Sequence, residues 1–247
     1  MNRAFTLSAA AAAAAAALAL GATPAAAADI PGTGLEINVE AEAMSDYRFR
    51  GVSRSGEDPA VQASVTVSHD SGFYVGTRAT TLDGIDGFRA NDPDFDDLGD
   101  IEFDVYAGYG MELGGGLSAD AGVMYYHFTG AEGPTDYVEP YASVSYLLGP
   151  VEATAGAKYA PAQAGTGDED MLYVFAEAEA GIPFTGVKLR AHAGRQDWGA
   201  YGSYWNWSVG GGYTLGPVEL GLRYVDTDLP AVRGQDAGFV ASIGVGF

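Results

Sequence analysis

The sequence of 247 residues predicts an all-β fold, a transmembrane antiparallel up-and-down β-barrel of about twelve strands. Three observations lead to this prediction. Apolar and polar residues alternate with a period of two, short and long connections alternate along the chain, and aromatic residues gather near both ends of the alternating segments. Together they are typical of a barrel whose outer face meets lipid and whose inner face meets water.

Residues 1–28 predict a cleaved secretory signal peptide. Arg3 gives a short positive start, Ala9–Leu20 is an apolar run made almost entirely of alanine, and Ala26–Ala28 supplies small residues for cleavage. The apolar run is too short and too rich in alanine for a transmembrane helix. We therefore expect the barrel to occupy residues 29–247.

The period of two is clearest in the first predicted strand. In residues 35–43 the odd-numbered positions are Leu, Ile, Val and Ala, and the even-numbered positions are Glu and Asn. Since alternate side chains of a strand point to opposite faces, one face is apolar and the other is charged. The same pattern predicts eleven further strands, at 61–68, 73–81, 101–109, 117–127, 137–147, 151–158, 171–180, 187–194, 204–213, 218–225 and 238–247.

The connections between these segments alternate in length. Short connections rich in turn residues lie at 69–72, 112–116, 148–150, 182–186 and 215–217. The longer ones lie at 50–59, 82–99, 129–136, 160–170, 197–203 and 226–237. A closed up-and-down barrel has tight turns at the periplasmic rim and longer loops outside, so we expect the long connections to be external.

Aromatic residues on the projected apolar faces form two bands, as in the aromatic girdles of membrane barrels. The outer band is predicted to contain Tyr47, Phe49, Tyr125, Tyr159, Trp205, Trp207 and Tyr224. The periplasmic band is predicted to contain Tyr109, Tyr146, Tyr213 and Phe247. The last strand ends in Phe247 after alternating apolar residues, which resembles the terminal assembly signal of outer-membrane barrels.

The polar faces are predicted to line the interior. The charged side chains expected there are Glu40, Glu42, Arg48, Arg50, Arg78, Asp104, Lys158, Glu177, Arg190 and Arg223. Two interpretations remain open. The lumen is either a narrow water-filled pore for passive diffusion of small polar solutes or ions, or it is closed by salt bridges between strands in a structural barrel.

The composition excludes several other classes of function. The formal net charge is −21, with 33 acidic and 12 basic residues, and such a chain repels nucleic acid. Fifteen Tyr, eleven Phe and three Trp are too many aromatic residues for a disordered acidic chain. The chain has no Cys, so an exported form gains no stability from disulfides. The expected contacts are therefore outer-membrane lipid, lipopolysaccharide and small permeants, and no oligomeric state is predicted.

Catalysis is a weaker alternative. An outer-membrane lipid-modifying enzyme needs a His–Ser pair on the barrel wall, because serine is a weak nucleophile without an adjacent base. His69 shares a tight turn with Ser71, and such a turn is poorly suited to position a catalytic pair. His192 is predicted to lie among basic residues of the inner face. We therefore predict that the protein is not an enzyme and has no catalytic residue and no cofactor.

One acidic segment has the spacing of a metal loop. Asp92, Asp94 and Asp96 are placed like the start of a calcium-binding loop. The sixth position is Asp97 in place of glycine, and the twelfth is Phe103 in place of glutamate. This departure favours a solvated acidic loop, and no metal site is predicted.

Five segments carry a resemblance to a known family. They are Ser45–Ser53 (SDYRFRGVS), Pro59–Gln62 (PAVQ), His69–Gly76 (HDSGFYVG), Glu102–Tyr109 (EFDVYAGY) and Tyr224–Asp228 (YVDTD). Together they resemble the TorF family, a proteobacterial group of outer-membrane proteins that carries a porin assignment. The resemblance implies an outer-membrane porin, and it transfers no substrate and no catalytic residue.

Overall fold

The computed structural model describes residues 28–82 and 98–246, which form fifteen β-strands and two short 3₁₀ turns. The strands are β1 (Ala28–Ile30), β2 (Leu35–Met44), β3 (Arg48–Phe49), β4 (Val52–Ser53), β5 (Ala60–His69), β6 (Phe73–Thr81), β7 (Ile101–Gly114), β8 (Leu117–Thr129), β9 (Tyr137–Leu148), β10 (Val151–Ala160), β11 (Met171–Gly181), β12 (Val187–Asp197), β13 (Ser203–Leu215), β14 (Val218–Thr227) and β15 (Gly238–Gly246). The 3₁₀ turns are Ala164–Thr166 and Gly199–Tyr201.

Twelve of these strands, β2 and β5 to β15, form a closed antiparallel barrel in which neighbours in the chain pair with each other. β2 closes the ring by pairing with β5 along its whole length and with β15 through Glu40–Met44. Below that pairing, β1 covers the same edge of β2 at Leu35–Ile37. The edge of β2 is therefore paired at nearly every level, which removes the open edge that would otherwise expose backbone groups.

The sequence prediction of a twelve-stranded antiparallel barrel is confirmed. Several strands run beyond their predicted bounds, and β7 reaches Gly114 while β12 reaches Asp197. The short strands β1, β3 and β4 were not predicted, because two or three residues give no measurable period. Within residues 28–82 and 98–246, no helix is long and apolar enough to cross a bilayer.

The outer wall of the barrel is apolar. Val65, Val105, Val144, Val174 and Val209 are all more than a third exposed, at positions that alternate with inward-facing residues. Of the predicted girdle, this exposed set also includes Tyr125, Tyr146, Tyr159, Trp205, Trp207 and Tyr213. On the same face, the Tyr109 ring packs against Phe73 and the Tyr224 ring packs against Phe239.

The prediction was wrong for two girdle residues. Tyr47 is only 7% exposed and lies inside the barrel, and the Phe49 ring packs edge-on against the buried ring of Tyr126 at 5.9 Å. The projection assumed that the strand continues outward beyond Met44. The chain instead turns into the barrel after this residue, so the outer and inner faces are exchanged.

Three other predictions lie outside the described residues. They are the signal peptide up to residue 27, the acidic loop with Asp92, Asp94 and Asp96, and the terminal Phe247.

Aromatic rings lie flat on the inner wall because glycines on neighbouring strands make room for them. A Cβ atom at Gly76 would lie 2.4 Å from the Tyr106 ring, and one at Gly194 would lie 2.2 Å from the Tyr173 hydroxyl. The same arrangement places Tyr74 over Gly108, Tyr141 over Gly122 and Phe175 over Gly156. The rings therefore cover the wall and leave the middle of the lumen free.

We predict that Gly76→Val destabilises the barrel by about 1–3 kcal/mol, since the added atoms displace the Tyr106 ring into the lumen. Denaturant unfolding of the refolded protein in detergent micelles measures this loss. Gly181→Val is the matched control, because a Cβ atom at Gly181 meets only the Pro150 carbonyl, at 4.0 Å. Equal stability of the two variants would show that the ring does not depend on the glycine.

Candidate functional site

The segment between β2 and β5 folds back into the barrel as a hairpin. β3 and β4 pair Arg48 with Ser53 and Phe49 with Val52, which leaves Arg50 and Gly51 as a two-residue turn. Both turn residues have positive φ, 51° and 88°, as a type I′ turn requires. We call residues 45–59 the lumen hairpin. A positive φ is unfavourable at a residue that carries a side chain, so Arg50 needs compensating contacts.

Arg50 finds these contacts on the opposite wall. Its Nη2 donates to both carboxylate oxygens of Glu139, at 2.6 and 2.7 Å, and its Nη1 donates to Gln196. The guanidinium group also lies 4.3 Å from the centre of the Tyr173 ring. Burial lowers the pKa of Arg50, but the Glu139 carboxylate outweighs this effect and raises the pKa above its ordinary value. The turn is thus held by an ion pair in which one guanidinium nitrogen contacts both oxygens of the Glu139 carboxylate.

A second anchor joins the lumen hairpin to β7. Arg54 Nη1 donates to Glu102 at 2.5 Å, and the Tyr47 hydroxyl donates to the other oxygen of the same carboxylate at 2.8 Å. The Arg54 guanidinium lies 3.6 Å from the centre of the Phe49 ring. Burial raises the pKa of the Tyr47 phenol, so it stays a neutral donor. Glu102 has no exposed surface, and both of its oxygens are bound.

A third set of contacts joins the lumen hairpin to the connection between β14 and β15. The Ser53 N–H donates to the Gly234 carbonyl at 2.8 Å, and Arg233 donates to the Gly56 carbonyl at 2.5 Å. Arg48 donates to the Asp236 carbonyl at 2.5 Å. The hairpin is therefore bound at several points around the ring of strands, at the end of the barrel that carries the long connections.

A cavity of about 830 Å³ occupies the lumen beside the hairpin. It is bordered by the hairpin at one end and reaches Leu147 and Pro150, next to a short turn, at the other. Eight of the ten charged residues predicted for the interior line it: Glu42, Arg48, Arg50, Arg78, Lys158, Glu177, Arg190 and Arg223.

Asp104 and Glu40 do not line this cavity. Asp104 is completely buried behind Arg78, whose Nη2 lies 2.6 Å from its carboxylate. Glu40 is exposed on β2, on the same face as Glu42 but nearer the short-turn end. The prediction that charged faces point inward came from strand alternation alone, which does not distinguish a residue beside open space from one covered by a neighbour.

The charges are unevenly distributed along the barrel. Arginines gather at the hairpin end, where their carboxylate partners Glu102, Asp104 and Glu139 are buried in the wall. Towards the short turns the pairs are solvated, and Arg190 bridges Glu179 and Glu219 at 2.8 and 2.7 Å. The cavity thus presents guanidinium groups at one end and solvated carboxylates at the other.

Sequence reasoning missed the inward course of the lumen hairpin. The only local signal is the Arg50-Gly51 pair between two short apolar segments, because glycine supplies the positive φ of a tight hairpin turn. The partners of the hairpin, Glu139 and Gln196, follow it by 89 and 146 residues. Such pairs depend on barrel geometry and leave no local pattern.

The inward-facing His192 contacts a tyrosine, and only His69 of the two histidines considered for catalysis contacts a serine. His192 Nε2 lies 2.7 Å from the Tyr173 hydroxyl, which itself donates to Asn206 at 3.0 Å. His69 contacts Ser71 at 2.7 Å in an exposed turn. The described part of the chain brings together no group of three or more His, Cys, Asp or Glu side chains that could hold a metal ion.

Two solved structures that are similar to this fold are porins. A KdgM porin in complex with disordered oligogalacturonate superposes with a TM-score of 0.55 at 7% identity, covering 85% of this chain and 97% of that one. The NanC porin superposes with a TM-score of 0.55 at 12% identity, covering 85% and 98%. At such identities the likeness establishes the fold alone.

No protein with a curated function matches the sequence. A family described as a bacterial protein of unknown function, Gcw_chp, matches residues 27–241. This match does not confirm the TorF name that the sequence segments suggested. Because the matched region covers most of the chain, the protein belongs to the Gcw_chp family.

Proposed function

We propose that the protein is a non-enzymatic outer-membrane channel for passive diffusion of small polar solutes or ions. The lumen hairpin narrows this channel from the end with the long connections. The observation that carries the proposal is the charged cavity of about 830 Å³ inside a closed barrel whose outer wall is apolar. An apolar exterior around a polar, hydrated interior suits a barrel that lies in lipid and passes water-soluble molecules.

The shared fold with the KdgM and NanC porins supports this proposal. Contact with outer-membrane lipid follows from the exposed valines and aromatic rings of the outer wall. Lipopolysaccharide would meet the rim that carries the long connections.

The lumen hairpin acts as the constriction in this proposal. It is bound to β7 through Glu102 and to β9 through Glu139. Solutes must pass between it and the facing strands, where guanidinium groups and the Tyr173 ring border the free space. The field of these charges would then select among permeants.

A structural barrel with a sealed lumen is the second candidate. It is favoured by the depth of the hairpin anchors, because the side chains of Arg50 and Glu139 are only 6% and 1% exposed. In this second candidate, the buried ion pairs would close the lumen at their level. Conductance separates the two candidates.

We predict that the refolded full barrel in planar bilayers gives discrete conductance steps. Replacing residues 46–55 by a Gly-Ser linker should enlarge those steps, because the hairpin no longer occupies the lumen. Heat-modifiable mobility in gels verifies folding in both cases. A folded wild-type barrel that conducts nothing, beside a linker variant that conducts, would establish the sealed structural barrel instead.

We predict that Glu139→Gln costs about 3–5 kcal/mol of stability, because it leaves the buried Arg50 guanidinium without its counter-charge. The same variant should raise the single-channel conductance, since the turn of the hairpin is then less firmly held. Denaturant unfolding in micelles and bilayer recordings measure the two effects.

Glu179→Gln is the matched control. Glu179 pairs with Lys188 and Arg190, and its side chain is 39% exposed, so its loss should cost less than about 1 kcal/mol. Equal losses in the two variants would contradict the anchoring role of Glu139.

We predict that Val144→Arg destabilises the barrel in lipid by about 2–4 kcal/mol, because Val144 lies on the outer wall midway along β9. Ser143→Arg places the same charge on the adjacent inward position and should be tolerated in the hydrated lumen. Folding titrations in lipid vesicles compare the two variants. A smaller loss of stability for Val144→Arg than for Ser143→Arg would contradict the assignment of the Val144 face to lipid.

A further inference from the structure

Three ion pairs lie beside the cavity, Arg50 with Glu139, Arg54 with Glu102 and Arg78 with Asp104, at 2.5 to 2.6 Å. Lys158 on β10 lines the cavity near them. Among residues 28–82 and 98–246, no carboxylate lies within 4.0 Å of its ammonium group.

Lys158 has three carboxylates among its charged neighbours, Glu139, Asp104 and Glu177, together with Arg50 and Arg78. Arg50 Nη2 donates to both oxygens of Glu139, and Arg78 donates twice to one oxygen of Asp104. Glu177 lines the same cavity and lies 3.5 Å from His192. None of the three forms an ion pair with Lys158 in the described part of the chain.

An ammonium group that forms no ion pair at this depth favours a counter-charge. A partly buried ammonium group is unfavourable without a partner, and the two guanidinium groups beside it add repulsion. The carboxylates of the arginine pairs are covered by the wall, with no more than 1% of their side chains exposed, whereas Arg78 is 28% exposed and Lys158 is half-buried. The surface that meets the cavity here is therefore cationic.

We propose that Lys158, with Arg78 beside it, forms a binding site for a small organic solute that carries a single carboxylate. A carboxylate supplies the counter-charge that Lys158 lacks at ion-pair distance, and it accepts hydrogen bonds from an ammonium and a guanidinium group together. The Phe49 ring lines the same cavity, is partly exposed, and offers contact area for the uncharged part of the solute. The site deepens the proposed channel function and rests on it, because the solute reaches the cavity from solution.

Arg223 is a weaker candidate for the same role. It also lines the cavity, but its charged neighbours are Glu42, Asp46 and Arg48, which together balance its charge. Lys158 differs in that an arginine is bound to each of its neighbours Glu139 and Asp104.

Glucuronate and glucose test the site, since the two sugars are similar in size and differ in the carboxylate. The full barrel, refolded in detergent micelles, is titrated with each sugar and followed by saturation-transfer NMR. We expect glucuronate to bind and glucose to bind much more weakly. Lys158→Met should weaken glucuronate binding by about tenfold or more, because this is the contribution of one hydrogen bond to a charged group. Lys158→Arg should retain binding, because it keeps the charge.

Lys188→Met is the matched control. Lys188 is also an inward-facing lysine, but it is paired with Glu179 at 3.2 Å and does not line the cavity, so its loss should leave binding unchanged. Heat-modifiable mobility verifies that each variant is folded. Equal glucuronate affinity in wild type and Lys158→Met, or equal binding of both sugars, would overturn the proposal.

Bilayer recordings on the same preparations test the channel function independently of the binding site. A barrel that binds glucuronate but does not conduct would refute the channel and leave the site standing. A barrel that conducts and does not bind glucuronate would refute the site alone.

Discussion

Closure of the strand ring is the constraint on which the rest of the molecule depends. β2 pairs with β5 along its length and with β15 near its end, while β1 covers the remaining edge. With all twelve strands joined, each strand has one face towards the outside and one towards the lumen. The apolar exterior and the charged interior are two consequences of this single arrangement, since alternate side chains must go to opposite sides. An open sheet would leave both backbone edges and charged faces without a suitable environment.

The enclosed charges are stabilised in two different ways. At the hairpin end, Glu102 and Glu139 are buried in the wall, and each is bound by an arginine of the lumen hairpin. At the opposite end, Glu179 and Arg190 belong to a solvated network, in which each contact contributes little by itself. The buried pairs determine where the hairpin lies, and the solvated network leaves the cavity accessible to water. The unfavourable turn at Arg50 is tolerated because its side chain is bound by Glu139 and Gln196 on the opposite wall.

The strands could be predicted from sequence, and the hairpin could not. Period-two alternation depends only on neighbouring residues, so it identified all twelve barrel strands and assigned Glu42, Arg78 and Lys158 to the interior. For Tyr47 and Phe49 the same rule failed, because alternation does not reveal that a chain has reversed direction. The contacts of Arg50 with Glu139 and Gln196 depend on which strands face each other across a closed ring. That geometry exists only after the whole barrel has formed, and no segment of the chain encodes it alone.

The glycines beneath the aromatic rings have a consequence for how such a barrel could change in evolution. Strand number sets the diameter of a barrel only in large steps, because strands are added in pairs. Here the Tyr106 and Tyr173 rings lie against the wall because Gly76 and Gly194 on the adjacent strands have no side chain. One methyl group at such a glycine would tip a ring towards the centre, and its loss would let the ring lie back. The calibre of the lumen is thus adjustable in small increments, by single substitutions far from the hairpin and without any change in the number of strands.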